Sequence, residues 1–127
     1  MRDFRKTAQK ELKKKTGTYT NKNTGESAKL TKGGIEKLIS GKAVYMSTKN
    51  GFTAKQHFEA VKKINLLYKK SVFVKSEPDY YGRKDIKSFR KYEATFKTKN
   101  RTTCNVYITI KETVQNGNSF YSLELKK

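Results

Sequence analysis

The chain has 127 residues, enough for one domain with one modest core, and only 34% of them are hydrophobic. Its 30 basic and 11 acidic residues leave a formal net charge of +19, which calls for a polyanionic partner, nucleic acid first. One cysteine, Cys104, excludes an internal disulfide, one histidine leaves a metal cluster little to use, and no run approaches the roughly 18 apolar residues of a membrane span.

The opening "RDFRKTAQKELKKK" places Phe4, Ala8 and Leu12 at i, i+4, i+8 and predicts an amphipathic helix that ends near Gly17. "GTYTNKNTGESAKLT" follows as a hairpin, with strands over 18–20 and 27–31 around Asn21, Asn23 and Gly25. Gly33 and Gly34 open a short helix, "IEKLIS", that stops at Ser40 and Gly41, while "KAVYMSTKNG" fits a strand or a loop equally. Thr53 and Gln56 have the spacing of a capping box, and a single helix over about 54–68 puts His57, Val61, Ile64, Asn65 and Tyr68 on one buried stripe.

Beyond that helix the pattern changes to sheet. "SVFVK" is a short apolar strand, "SEPDYYGRKD" a turn-rich loop with the only proline, Pro78, and "IKSFRKYEATFK" a longer strand. "CNVYITIKETV" alternates Val106, Ile108 and Ile110 against Tyr107, Thr109, Lys111 and Thr113, the second set on a solvated face. After the Asn116-Gly117 turn, "SFYSLELKK" returns with Tyr121, Leu123 and Leu125 in phase. The expectation is one α+β domain over 1–127, with N-terminal helices followed by an antiparallel sheet of about four strands. The charge is spread along it, with 13 basic against 4 acidic residues up to Asn50 and 17 against 7 after it, so the folded body itself is basic. No charged-then-apolar leader opens the chain, and a soluble protein with no cofactor and no metal is expected.

Few chemistries suit such a frame. The serine-hydrolase elbow, the Walker loop and the dinucleotide fingerprint are all missing, and nothing in the order of the 11 acids groups them. Metal-independent RNA cleavage asks for less, because the nucleophile is the RNA's own 2′-hydroxyl and the protein supplies a base, a cation and an acid. His57 suits the base, since a helix N-terminus and surrounding cations both lower its pKa. The alternative is structural: Phe52 and His57 have the spacing of a hydrophobic staple, which makes the histidine a packed, hydrogen-bonded filler. Tyr80, Tyr81 and Tyr121 are candidates for stacking on bases or for the core, and Lys55, Lys87, Lys91 and Arg83 are candidate phosphate contacts.

The series "GTYTNKNTG", "LTKGGIEKLIS", "KQHFEAVKKINLLYKKSVFVKSEPD", "IKSFRKYEATF", "NVYITIKETV" and "SFYSLEL" resembles the large polyvalent protein-associated and phage-head-fusion toxin domains. These are similar to the barnase, EndoU, colicin and RelE (BECR) nuclease superfamily. The resemblance implies helices followed by a curved four-stranded antiparallel sheet, and an RNase-type toxin of a phage or mobile element. Such a toxin acts on tRNA or other RNA in the bacterial cytoplasm, delivered from a phage particle or as the module of a larger secreted effector. It also implies roles. His57 is base or acid, Lys111 and Arg90 bind phosphate and stabilise charge, and Thr113, Ser40 or Tyr121 orients the substrate. An acidic immunity or antitoxin protein is the expected second partner. A non-catalytic basic nucleic-acid-binding module of a mobile-element protein is the other reading of the same residues.

Overall fold

A computed structural model describes residues 4–127, so positions 2 and 3 of the first predicted helix lie outside the described residues. Helix α1 (Phe4–Lys13) buries Ala8 and Leu12 and leaves Phe4 exposed. The hairpin forms as β1 (Gly17–Thr20) and β2 (Ser27–Leu30). Its turn is pinned by Asn21, whose amide nitrogen donates to the carbonyls of Tyr68 (2.7 Å) and Ser71 (2.8 Å), while its oxygen accepts from Asn23 and Thr24 N–H.

The segment that fitted strand or loop is a helix. After α2 (Lys32–Leu38), Ser40 accepts from Ala43 N–H and starts α3 (Gly41–Lys49). At the far end Gly51, at φ +98°, donates to Thr48 and Phe52 donates to Ser47, a Schellman closure that turns Phe52 into the core. The expected single helix over 54–68 is two. The capping box of Thr53 and Gln56 opens α4 (Ala54–Val61), Lys63 N–H then bonds Ala60 in a tighter turn, and α5 (Ile64–Lys70) follows. The apolar stripe survives the break, with His57, Val61, Ile64 and Tyr68 all buried, whereas Asn65 is half-buried.

Strands β3 (Val72–Glu77), β4 (Ile86–Lys97), β5 (Thr103–Thr113) and β6 (Gly117–Lys126) make the expected antiparallel meander. The sheet is larger than four strands and is mixed. Its order is β1-β2-β6-β5-β4-β3, and β2 meets β6 in parallel around Lys29 and Ser119. Strand β3, read as apolar, is an edge whose Val72 and Val74 are exposed. Strand β6 carries a bulge: Thr109 faces Ser122 but Ile110 faces Phe120, so Tyr121 is the extra residue. Phe120 therefore enters the core with Leu123 and Leu125, and Tyr121 falls out of phase with the two leucines.

Tyr92, Ala94 and Phe96 of β4, Val106, Ile108 and Ile110 of β5, and Phe120, Leu123 and Leu125 of β6 form one core with residues of α1, α2, α4 and α5. All lie on the same sheet face. Helix α3 seals the β6 edge beyond Ser119 instead of a strand: Ser47 Oγ accepts from Leu125 N–H (3.1 Å) and Asn50 Nδ2 donates to the Leu125 carbonyl (2.9 Å). Among the described residues no helix covers the other face of the meander.

Candidate nucleic-acid interface

Strand alternation decides which side chains reach that open face. Register pairs Lys111 with Phe89, Thr109 with Lys91 and Tyr107 with Glu93, opposite in sense to the buried set. The β6 bulge adds Tyr121, whose ring lies 5.1 Å from Phe89. The ammonium groups of Lys111 and Lys37 each stand 5.5 Å from the Tyr121 ring centre. Two hollows meet at Tyr121 and Ser122, one of about 220 Å³ under the β3–β4 loop and one of about 430 Å³ against α2 and α3. Together they make one groove across the face.

The loop supplies its most exposed rings, with Tyr80 at 80% and Tyr81 at 87% exposure. It is ordered by Asp79, which accepts from Arg83 Nε (2.9 Å), from Arg83 Nη2 (3.0 Å) and from the Arg83 and Tyr81 N–H groups. Those bonds, the Arg83 side chain first, hold the Asp79 carboxyl down at about 2. The other groove carboxylates are also engaged: Glu77 pairs with Lys75 (2.9 Å) and stands 3.9 Å from Lys91, and Glu124 accepts from Asn50 (2.8 Å). Among the described residues, Lys37, Lys42 and Lys111 have no carboxylate within 4.0 Å and remain available to an anion.

The residues singled out in the sequence divide between this groove and other places. Tyr121, Lys111, Lys91, Tyr81, Arg83 and Ser40 line it or face it. Arg83 is committed to Asp79, and Ser40, besides capping α3, donates to the Lys37 carbonyl. Arg90 lies on the opposite sheet face, where its Nε donates to Glu26 (2.8 Å) and its guanidinium covers Phe73 at 4.6 Å. Thr113 closes the β5–β6 turn by accepting from Asn116 N–H and donating to the Gly117 carbonyl. Lys87 is exposed at a β4 irregularity, and Lys55 is on α4, over the Phe4 ring. Thr109 is not solvated as expected but buried beneath Lys91, whose Nζ donates to it at 3.0 Å. Missed by sequence reasoning were Phe89 and Lys37. Only pairing register and the bulge bring them to Tyr121.

His57 has none of its surface exposed. Leu125 N–H donates to Ser47 Oγ, the Ser47 hydroxyl donates to Nδ1 (2.8 Å), and Nε2–H donates to the Leu38 carbonyl (2.9 Å). Both ends of this relay are backbone groups of fixed polarity, so the neutral Nε2–H tautomer satisfies every step. Burial is the chief cause that lowers its pKa, and Arg5 adds to it against the Leu38 bond. Neither nitrogen is offered to a substrate, and the geometry is that of the structural alternative. Among the described residues no group of three or more His, Cys, Asp or Glu side chains could hold a metal, and no helix is long and apolar enough to cross a membrane.

Fold and face together define a basic α+β domain whose open sheet surface joins aromatic rings to free lysines. The chain belongs to the family of large polyvalent protein-associated domain 3, whose model matches residues 1–121. Neither the curated proteins nor the solved structures gave a match.

Proposed function

We propose that the open face binds single-stranded nucleic acid, with RNA as the cellular ligand. The observation that carries this is the groove itself, in which Tyr80, Tyr81, Phe89 and Tyr121 stand with Lys37, Lys42 and Lys111, unpaired among the described residues. Exposed ring faces gain from unpaired bases, which stack on them for about 1–3 kcal/mol each, and lysines follow the phosphates. A duplex hides its base faces and would forgo that gain. Anisotropy titration of a labelled single-stranded RNA tests the reading. Tyr121→Ala and Tyr81→Ala are each expected to weaken binding about tenfold. Lys111→Ala should weaken it for every sequence and flatten the salt dependence. Unchanged affinity in all three would remove the proposal.

Cleavage by the same groove is the second reading. What supports it is that an antiparallel meander follows the helices and that the Lys111 ammonium stands at the Tyr121 ring. In this reading solvent water takes the 2′-hydroxyl proton as its oxygen attacks phosphorus, and the bond from phosphorus to the 5′-oxygen breaks. That 5′-oxygen takes a proton from water, and a 2′,3′-cyclic phosphate is left. Lys111 stabilises the charge on phosphate, and Ser40 or Tyr121 orients the strand. His57 takes no part. Family membership agrees with a phage or mobile-element setting, where the site of action is the bacterial cytoplasm and an acidic immunity protein would cover the groove. Total bacterial RNA incubated in EDTA with the protein and with Lys111→Ala separates the readings. Discrete fragments from the unaltered protein alone establish an RNase, and intact RNA in both leaves a binding module.

A further inference from the structure

We propose that a second phosphate-binding site lies on the helical side of the sheet, so that one molecule holds two nucleic-acid strands at once. The proposal rests on the reading of the open face as a single-strand site. A cavity of about 290 Å³ opens between α1, α4 and the β4–β5 turn, and Lys15, Lys62, Lys63, Lys97 and Lys99 stand around it against two carboxylates, Glu11 and Glu59.

Both carboxylates are engaged. Glu11 lies 3.7 Å from Lys15, and Glu59 accepts the Lys99 backbone N–H at 2.8 Å. Helices α1 and α4 both end here, and the partial negative charge of their last carbonyls would repel an anion. Lys15 offsets it by donating to the Lys62 carbonyl at 2.8 Å. Lys62, Lys63, Lys97 and Lys99 then remain with no carboxylate within 4.0 Å among the described residues. Four like charges on one concavity repel one another until an anion enters. The aromatic wall, Phe96, is buried, so the site offers charges without a stacking surface and suits a phosphate backbone of any sequence.

The two sites face apart. Phe96 and Phe89 are on the same strand, but Phe96 belongs to the helix-covered face and Phe89 to the open one. Seven residues of strand separate them by about 23 Å along β4. A strand of about four nucleotides, the short end of what such grooves hold, does not reach from one to the other. Two strands brought together on one basic body would have their mutual repulsion screened, which favours annealing or bundling of RNA.

Native mass spectrometry of the full chain with tetrauridylate, which cannot pair with itself, counts the strands. Two oligonucleotides per protein are expected, falling to one in the combined Lys62→Glu, Lys63→Glu, Lys97→Glu variant. One should also remain in the combined Tyr121→Ala, Lys111→Glu variant, now held by the lysine cavity. All five positions are at least partly exposed, so the fold should tolerate the changes. A single oligonucleotide on the unaltered protein, lost with Tyr121 and Lys111, would overturn the second site and leave the open-face reading intact. Two oligonucleotides persisting after the three lysine changes would overturn it as well. No oligonucleotide bound to any form would remove both.

Discussion

At the scale of single residues, His57 ties three elements of the helical layer to the last strand. Protonation would turn Nδ1 into a donor and leave the Ser47 hydroxyl hydrogen without its acceptor. The folded pKa therefore lies below the ordinary 6.5, chiefly because the ring is buried. Between those two values the unfolded chain binds the extra proton and the folded one does not. Stability is then complete above about pH 6.5, declines as pH falls through it by up to about 1.4 kcal/mol per unit, and levels off below the folded pKa. Urea unfolding across that window should show the decline, and His57→Gln should lose this contribution to it. His57→Ala, which leaves Ser47 and Leu38 without their partner and opens a cavity, should cost about 3 kcal/mol and show directly as a lower urea midpoint. The stripe at 57, 61, 64 and 68 made the burial legible. The partners were not, because Ser47 lies in the segment whose structure local sequence left open and Leu38 and Leu125 contribute only backbone.

Among the elements, those with end signals were readable and those defined by neighbours were not. The capping box opened α4 where its spacing said, and Asn116-Gly117 joined β5 to β6. Val44, Tyr45 and Thr48 are weak helix formers, and the α3 segment read equally as strand or loop. It is a helix because Ser40 caps one end, Gly51 closes the other, and the free edge of β6 needs its Ser47 and Asn50. The break between α4 and α5 has no glycine or proline to announce it. Helix α2 offers a test of how tightly this layer sits on the sheet. A Cβ at Gly34 would stand 2.8 Å from the Phe120 backbone oxygen, beside the bulge that releases Tyr121, whereas a Cβ at Gly33 meets nothing within 4 Å. Gly34→Ala should cost about 1–3 kcal/mol, since backbone on both sides must move. Gly33→Ala should be neutral or stabilising by up to about 1 kcal/mol through helix propensity. Thermal unfolding of the pair reads the difference, and an equal response would mean that α2 rides clear of β6. Shifted Tyr121 should also weaken RNA binding in Gly34→Ala alone.

Over the whole molecule, the charge was plain in the sequence but its arrangement was not, because alternation and register sort the lysines onto two opposed faces. A net charge of +19 on one small body opposes folding by self-repulsion, while the same field attracts RNA. Added salt screens both, and the two effects carry opposite signs. At low ionic strength, sodium chloride should raise the unfolding temperature as like charges are shielded over a Debye length that shrinks toward about 10 Å at 0.1 M. Over the same range RNA affinity should fall, with log K against log salt sloping at about −0.7 per phosphate contacted on a single strand. With Lys37, Lys42 and Lys111 engaged at the groove, a slope near −2 is expected for a short strand, and Lys111→Ala should reduce it by about 0.7. A protein whose unfolding temperature and affinity both fell with salt would carry its stability in ion pairs rather than bear a cost from excess charge. The chain sets 11 carboxylates against 30 basic residues, and among the described residues only four of those carboxylates, Glu11, Glu26, Glu77 and Asp79, form ion pairs, which argues for the first outcome.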